Sequence, residues 1–327
     1  METLRWGIIG TARIAAEQVV PALNRARNTK LQAVASRSLD RAKTFARNHG
    51  IPSYYGSYDE LLQDPEVDAV YISLPNHLHA QWSIRAAQSG KHILCEKPAV
   101  LHPSELTAVL NACREANVRY MEAFMYQLHP QWDRVLEILR SGQIGSVRSI
   151  RAAFTFPLLG EFDIRLQPVM GGGALYDVGC YCVHAIRRIV GDEEPSVVRA
   201  EANFSVDGIV DRTLSADLGF NHGVSASFVC SFEQEDRQDV VIEGSSGTLK
   251  VSHAFRPDLG KPTLSIQTAA TLVDEPVPNA DVYVLEVEHF SDGVFTGNPF
   301  RNTDEDVAAN SRWIDRIYRA AGRRQGA

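Results

Sequence analysis

The first third of the chain alternates short apolar runs with segments of helical spacing. The apolar runs, which are strand candidates, lie at residues 4–9, 31–36, 67–74, 92–95 and 118–123. The segments between them place apolar residues three or four positions apart, as helices do, at residues 12–23, 39–49, 76–89 and 104–116. Strands that alternate with helices predict a parallel sheet covered on both faces. We therefore expect a doubly wound α/β domain over residues 1–124.

The pattern changes after Phe124. A helix over 130–141 is followed by strand candidates joined by short turns, at residues 147–156, 197–206, 212–220, 224–232 and 239–243. Gly244–Gly247 reads as the turn of a hairpin, and helices are expected at 281–295 and 303–321. We predict an α+β domain over 125–327 with a large, mostly antiparallel open sheet, whose last helix (about 303–321) is free to pack back on the first domain.

Composition excludes several classes of protein. Lys and Arg total 33 against 40 Asp and Glu, and a net charge of −7 argues against nucleic-acid binding. No apolar run reaches the roughly 18 residues of a membrane span, and the first residues lack the pattern of a secretory signal. The five cysteines contain no C-x-x-C pair, so neither a disulfide framework nor a metal site is indicated. A cytoplasmic protein is expected.

The first predicted strand leads into the sequence GTARIA, which begins at Gly10. A dinucleotide-binding turn has the pattern G-x-G-x-x-G/A, which Gly10 and Ala15 satisfy, whereas Ala12 replaces the second glycine. A plain structural turn is the alternative, but the strand before it and the helix after it favour a phosphate site. The expected cofactor contacts here are Gly10, Thr11, Ala12, Arg13 and Ile14.

The end of the second strand indicates which nicotinamide cofactor fits. NAD sites usually carry Asp or Glu at this point, whereas this chain has Ser36-Arg37-Ser38. An arginine with neighbouring hydroxyls suits a 2′-phosphate. Ser36 and Arg37 therefore predict NADP, with NAD possible. The alternative is that Arg37 is a solvated residue at the start of a helix.

Candidate catalytic residues lie in two further segments. Lys97 follows the fourth strand in the sequence Cys-Glu-Lys-Pro, at the sheet edge where ligands bind, although a Lys beside a Glu is more often a surface ion pair. In the segment GGGALYDVGCYCVH, which begins at Gly171, Asp177 and Tyr181 lie one helical turn apart, on the side that also carries His184 and Arg188. The opposite side forms an apolar stripe of Leu175, Val178, Cys182, Ile186 and Ile189.

Two interpretations of the polar side are open. It could face solvent, which is the usual arrangement of such a stripe. Alternatively, Asp177, Tyr181 and the distant Lys97 form a proton relay for the interconversion of a carbonyl and an alcohol.

Four motifs together resemble the glucose–fructose oxidoreductase/inositol dehydrogenase (Gfo/Idh/MocA) family. They are GTARIA from Gly10, LPNHLH from Leu74, EKP from Glu96 and GGGALxDxGxY from Gly171 to Tyr181. Within that family the chain is similar to the branch of dimeric dihydrodiol dehydrogenases, NADP-dependent xylose dehydrogenases and glucose–fructose oxidoreductase, which has Tyr at the position of Tyr181.

The resemblance implies specific roles for residues. Lys97 is implied to lie beside the reacting carbon, Tyr181 to be the general acid/base, and Asp177 to orient the substrate or to tune the other two residues. Arg165 is implied to border the substrate pocket. The remaining implied cofactor contacts are Leu74, Pro75, Asn76, His79, Glu96 and Lys97, and the substrate contacts are Lys97, Arg165, Asp177 and Tyr181.

The implied activity is hydride transfer between NAD(P) and a hydroxyl-bearing carbon of a sugar, a polyol or a trans-dihydrodiol. The lysine of the first domain and the phenol of the second are then expected to meet across the nicotinamide ring. The second domain is implied to bind substrate and to form a homodimer or homotetramer through its sheet. The alternatives are a dinucleotide-binding sensor without turnover and an NAD-dependent redox glycosidase. The presence of Lys97, Asp177 and Tyr181 argues against the sensor.

Overall fold

The computed structural model describes residues 2–160 and 163–324. The chain forms two compact units, Met1–Met125 with Asp281–Ala308 and Tyr126–Ala280 with Ala309–Ala327. The sequence pattern predicts one boundary near residue 124, whereas the stretch from Asp281 to Ala308 belongs with the first unit.

The first unit contains a six-stranded sheet in the order β3-β2-β1-β4-β5-β6, and all of its paired strands are parallel. Its strands are β1 (Leu4–Ile9), β2 (Thr29–Ala35), β3 (Ser53–Tyr55), β4 (Ala69–Ile72), β5 (His92–Glu96) and β6 (Tyr120–Ala123). This confirms the doubly wound domain. The short strand β3 was not predicted because three residues carry too little periodicity to identify.

The second unit contains an eight-stranded sheet in the order β14-β13-β12-β11-β7-β10-β9-β8. Only β7 and β10 pair in parallel, and the other neighbours are antiparallel, as predicted. Its strands are β7 (Val147–Thr155), β8 (Val197–Phe204), β9 (Asp211–Gly219), β10 (Ser225–Ser231), β11 (Arg237–Gly244), β12 (Gly247–Val251), β13 (Thr263–Thr268) and β14 (Leu272–Pro276). The last two strands were not predicted.

The helices are, in chain order, α1 (Val20–Arg25), α2 (Leu39–His49), α3 (Tyr58–Leu62), α4 (His79–Gln88), α5 (Pro103–Glu115), α6 (Pro130–Arg140), α7 (Cys180–Val190), α8 (Val282–Thr296) and α9 (Asp304–Ala320). Wider π-helical turns precede α1, at Ala15–Val19, and α7, at Leu175–Gly179. The first of these ends two residues before Pro21, whose ring nitrogen has no proton to donate. No helix among the described residues is long and apolar enough to cross a bilayer.

Apolar residues on both faces of the parallel sheet are buried against the helices that pack on it, and this burial holds the helices in place. On one face Trp6 of β1 packs against Phe290 of α8, with ring centroids 5.0 Å apart. On the other face, residues such as Ile72 and Ile93 form a core with Leu61 of α3 and other helical residues. Burial of Phe290 explains why the stretch that includes α8 belongs to the first unit.

Helix α7 packs on β7 and β10 of the second sheet. Gly179, at the end of the π turn, allows this close approach, because a Cβ there would lie 2.8 Å from the Cys230 sulfur. The alternating exposure along β8 shows that this strand turns one side toward solvent.

Candidate functional site

In the first unit, the predicted cofactor residues follow four strands that are neighbours in one parallel sheet, β2, β1, β4 and β5. The carboxyl ends of parallel strands lie at one edge of the sheet, where open α/β sheets bind ligands. The structure thus brings to one edge the turns that carry Gly10, Arg37, Asn76 and Lys97.

Gly10 fits tightly between the ends of two neighbouring strands. Its backbone N–H donates to the Ala35 carbonyl at 3.0 Å, and its φ is +103°. A Cβ at this position would lie 3.0 Å from the Ser73 carbonyl oxygen and 3.1 Å from a Leu74 methyl carbon. The glycine is therefore required by its conformation and by its neighbours.

The helix that follows Gly10 begins at Arg13, after Thr11 and Ala12. The first backbone N–H groups of a helix have no partner within it and favour an anion. The Arg13 side chain is 81% exposed and lies 3.9 Å from Glu17, whereas Ile14 is half-buried and Ala15 is buried. This segment therefore offers backbone N–H groups to an anion, rather than a pocket formed by the Arg13 side chain.

The turn after β2 holds a second arginine that the sequence interpretation did not include. Ser36 is buried and Arg37 is exposed, as expected for a residue at the edge of a site. Arg41 lies one helical turn further and donates from Nη2 to the Thr11 hydroxyl at 3.3 Å. The spacing of Arg37 and Arg41, four residues apart at the start of a helix, was the available signal.

Both guanidinium groups lie near the phenol of Tyr58. Burial raises the pKa of Tyr58, and the charges of Arg37 and Arg41 oppose that rise. Two arginines and the Thr11 hydroxyl therefore lie near the start of α2. Such a set suits a doubly charged phosphate.

The turn after β4 carries three of the predicted cofactor residues and leads to His79. Leu74 is buried, whereas Pro75 and Asn76 are half-buried. His79 is 0% exposed, and its ring nitrogens lie 2.8 Å from the Leu74 carbonyl oxygen and 2.7 Å from the Pro98 carbonyl oxygen. The ring is therefore enclosed between two backbone carbonyls, and the structure gives it contacts within the protein.

Lys97 is half-buried, and its backbone lies in a turn held from two sides. The Tyr71 phenol donates to the Glu96 carboxylate at 2.5 Å, and the Ala99 N–H donates to the Glu122 carboxylate at 2.7 Å. Glu96 thus accepts a hydrogen bond from a tyrosine that is fully buried. The Lys97–Pro98 peptide bond is cis.

A further carboxyl group lies behind this turn. Glu286 of α8 is 1% exposed, and its Oε1 has no hydrogen-bond partner among the described residues. Burial, and secondarily the negative charge of Glu96, raise the pKa of Glu286 well above its usual value. Burial thus favours the uncharged form of the Glu286 carboxyl group.

These residues fit a dinucleotide phosphate. The Gly10 position is one that a Cβ would fill, the following helix presents backbone donors, and Arg37 and Arg41 carry positive charge to the end of β2. The departure at Ala12 leaves this set intact.

In the second unit, the glycine triplet accommodates a loop that packs on it. The Gly173 N–H donates to the Arg165 carbonyl at 3.0 Å, and a Cβ on Gly172 would lie 2.5 Å from that oxygen. Gly171 has a φ of +74°. The triplet therefore holds the loop that carries Arg165 against the start of the helix that carries Asp177 and Tyr181.

Arg165 joins two aspartates. Its Nε donates to Asp177 Oδ2 at 2.6 Å, and its Nη1 donates to Asp163 Oδ1 at 3.2 Å. The charge of Asp177 is the main cause of the raised pKa of Arg165. The structure thus brings together two predicted site residues, and Asp177 is engaged with a cation as well as adjacent to Tyr181 along the helix.

Tyr181 lies in an aromatic cluster. Its ring centroid is 5.4 Å from that of Phe154 and 5.7 Å from those of Tyr126 and Phe255. Tyr181 is 6% exposed and His184 is 1% exposed, which excludes a solvent-facing stripe. The Tyr126 hydroxyl lies 2.6 Å from His184 Nδ1, a buried pair that the sequence did not indicate.

A buried carboxylate holds the first turn of this helix. Asp211 is 0% exposed and accepts from the Leu175 N–H at 2.8 Å and from the Tyr318 hydroxyl at 2.7 Å. A Cβ on Gly173 would lie 2.3 Å from Asp211 Oδ1. Sequence reasoning missed Asp211 and Tyr318, because both are distant along the chain and no local pattern marks them.

Comparisons with known proteins identify the family of the chain. Residues 4–124 match the family described as "Oxidoreductase family, NAD-binding Rossmann fold", and residues 132–250 match the "GFO/IDH/MocA C-terminal domain". The chain is 41% identical to an uncharacterized oxidoreductase of Rhizobium meliloti (99% of this chain, 98% of the relative). It is 39% identical to the D-xylose 1-dehydrogenase (NADP(+)) 2 of Haloferax volcanii (97% of both).

A solved structure is also similar over almost the whole chain. It is the 3-ketoreductase KijD10 from Actinomadura kijaniata in complex with NADP and TDP-benzene, with a TM-score of 0.92, 33% identity and 98% of each chain covered. Other structures of the same ketoreductase carry a replaced tyrosine or a replaced lysine. Both halves of the chain thus match one family, and this chain is a member of the Gfo/Idh/MocA oxidoreductases.

Proposed function

We propose that this NAD(P)-dependent oxidoreductase prefers NADP and oxidises a hydroxyl-bearing carbon of a sugar, a polyol or a trans-dihydrodiol, or reduces the corresponding carbonyl. The observation that carries the proposal is the arrangement in the second unit, where Tyr181 lies on the same helix as Asp177 and Asp177 is held by Arg165 at 2.6 Å. Within this proposal the first unit holds the dinucleotide and the second holds the substrate.

The proposed cofactor contacts are those predicted from the sequence, with His79 removed and Arg41 added. Backbone groups of Gly10–Ile14 hold the pyrophosphate, and Arg37, Arg41 and the Thr11 hydroxyl hold the 2′-phosphate. Leu74, Pro75, Asn76 and Glu96 are the proposed contacts on the nicotinamide side. When bound, the nicotinamide accepts or supplies the hydride. The NADP named with the two characterised relatives supports this choice.

Tyr181 is the proposed general acid/base, which takes the proton of the substrate hydroxyl during oxidation and returns it during reduction. A free tyrosine has a pKa near 10, so a phenolate needs a nearby positive charge, and Lys97 is the proposed source of that charge. In KijD10, the replaced lysine and tyrosine are separated by as many residues as Lys97 and Tyr181 are here. That equal separation supports the assignment.

The polar groups around Asp177 support a substrate that carries hydroxyl groups. Asp163 and Asp177 contribute two carboxylates, and Arg165 contributes the guanidinium that pairs with both. Paired carboxylates and a guanidinium suit the hydroxyl groups of a sugar, since they accept and donate hydrogen bonds. The xylose named for the relative from Haloferax volcanii is consistent with this class.

Two finer features belong to the same proposal. We propose that the chain forms a homodimer or homotetramer through the outer face of the second sheet, on which Arg151 and Glu243 of neighbouring strands form an ion pair. We also propose that it works in the cytoplasm, where NADP and free sugars are available. Sedimentation equilibrium tests the first feature, and a monomer would contradict it.

Purified protein mixed with NADP or NAD and a panel of aldoses, polyols and a trans-dihydrodiol tests the function. We expect NADPH to form with at least one neutral sugar or diol, faster than NADH forms with the same substrate. A cofactor that binds without being reduced by any substrate would favour the sensor. Glycoside cleavage with a retained NAD would favour the redox glycosidase, and reaction with dTDP-sugars alone would restrict the substrate class.

A further inference from the structure

His79 is the first residue of α4, and its side chain is completely buried at the cofactor edge of the first unit. Nδ1 lies 2.7 Å from the Pro98 carbonyl oxygen, and Nε2 lies 2.8 Å from the Leu74 carbonyl oxygen. Leu74 follows β4 and Pro98 follows β5, which are adjacent strands. One imidazole ring therefore connects the two turns.

The Pro98 carbonyl belongs to the residue directly after Lys97. On the other side of Lys97, the Glu96 carboxylate accepts from Tyr71 at 2.5 Å, and beyond Pro98 the Ala99 N–H donates to Glu122 at 2.7 Å. Hydrogen bonds thus hold the residues that precede and follow Lys97 along the chain. Of these holding contacts, the one from His79 connects the lysine turn to the turn that carries Asn76.

We propose that His79 is a positioning residue, which braces the Leu74 and Pro98 carbonyls and so fixes Lys97 relative to the turn of Pro75 and Asn76. This inference rests on the proposed role of Lys97 and of that turn at the nicotinamide. The ring itself touches neither substrate nor cofactor, because it is fully enclosed.

The number of protons on the imidazole ring determines how many hydrogen bonds His79 donates to the two carbonyls. A neutral imidazole has one N–H and donates to one carbonyl, whereas an imidazolium donates to both. Burial lowers the pKa of His79, whereas the hydrogen bonds with the Pro98 and Leu74 carbonyls raise it. The neighbouring groups Lys97 and His77 lower this pKa further. At neutral pH at least one N–H is therefore held in a hydrogen bond away from water.

Two substitutions and a control separate positioning from general stability. His79→Phe keeps a planar ring but removes both nitrogens, whereas His79→Gln keeps an amide that can donate to the carbonyls. Val109→Ala, in α5 of the same unit, removes buried apolar volume but no hydrogen-bonding group, and serves as the destabilised control. Each protein is compared at a temperature where it is folded.

Two of the readouts need no turnover. In wild type, a nitrogen-detected NMR spectrum of labelled histidine is expected to show an imidazole N–H that exchanges slowly with water and disappears in His79→Gln. By NADPH fluorescence titration, we expect the dissociation constant to rise about tenfold in His79→Phe, less in His79→Gln and not at all in Val109→Ala. With a substrate found in the panel, turnover is expected to fall in the same order.

Unchanged NADPH affinity and turnover in folded His79→Phe would overturn the proposal, as would equal losses in Val109→Ala. Absence of a protected imidazole N–H in wild type would overturn it even if the Phe variant does not fold. If no substrate in the panel reacts, the proposed function fails by itself, because the NMR spectrum and the NADPH titration still decide whether the brace exists.

Discussion

The guanidinium of Arg165 lies 2.6 Å from the carboxylate of Asp177, one helical turn before Tyr181 on the same helix. This contact connects the loop after β7 to the helix that carries the proposed acid/base. Since Arg165 also contacts Asp163 at 3.2 Å, the guanidinium holds two carboxylates in a fixed geometry. The orientation of Asp177 therefore depends on this arginine.

Replacing Arg165 by Lys keeps the charge but removes the planar fork that reaches both aspartates. We expect kcat/KM for the sugar to fall about tenfold or more, a loss of roughly 1.4 kcal/mol, with little change in NADP affinity. Steady-state kinetics and a fluorescence titration measure the two quantities.

Arg212→Lys is the matched control, because Arg212 forms an exposed pair with Glu233 on the same unit. Such surface pairs contribute less than about 1 kcal/mol, so this variant should behave like wild type. Equal values of kcat/KM for Arg165→Lys and Arg212→Lys would show that the planar guanidinium of Arg165 is not required to orient Asp177.

Arg37 and Arg41 should determine the preference between cofactors. Alanine at either position is expected to weaken NADP binding by about tenfold, because a charge-assisted contact to the 2′-phosphate is lost, and to change NAD binding by less than about threefold. Isothermal titration with both cofactors measures the difference. Arg85→Ala, which breaks a surface pair with Asp59, is the control for nonspecific loss of positive charge. Parallel losses for NAD and NADP would contradict a 2′-phosphate site.

Gly173→Ala should destabilise the protein because its Cβ would lie 2.3 Å from Asp211 Oδ1 and 2.6 Å from the Tyr318 hydroxyl. We expect a loss of roughly 2–4 kcal/mol in the free energy of unfolding, together with lower activity. Gly142→Ala is the control, since Gly142 has a φ of +70° but nothing within 4 Å of a new Cβ. Gly142→Ala should lower the free energy of unfolding by only about 1 kcal/mol. If urea denaturation shows similar losses of unfolding free energy for Gly173→Ala and Gly142→Ala, the close contacts around Asp211 do not destabilise the variant.

Local sequence patterns predict most strands and helices of the first unit, but they do not predict every side-chain partner. The helix from Leu39 to His49 was predicted residue for residue, because Ser38 caps its start and Gly50 ends it. Local signals of this kind cannot reveal Asp211, which contacts Leu175 although it lies 36 positions further along the chain. His79 lies inside a recognised motif, but only the structure shows that its ring faces two carbonyls rather than a ligand.

Glu286→Gln should change the pH dependence of stability. The pKa of Glu286 is raised in the folded state, so wild-type stability is fully present below the ordinary value of 4.5 and declines as pH rises toward the folded-state pKa. Glutamine does not ionise, so the variant should gain on wild type as pH increases, by about 1.4 kcal/mol for each pH unit in that window. Urea unfolding at acidic and at mildly alkaline pH measures the difference, and a constant difference would show that Glu286 does not titrate on unfolding.

The proposed function depends most directly on Tyr181. The decisive measurement is the rate of NADPH formation by wild type and Tyr181→Phe with a substrate from the panel, together with the NADP dissociation constant of each protein. Loss of a general acid/base should lower the rate by about 100-fold to 10,000-fold, with NADP affinity within about threefold of wild type. A Tyr181→Phe protein that reduces NADP at nearly the wild-type rate would contradict the account.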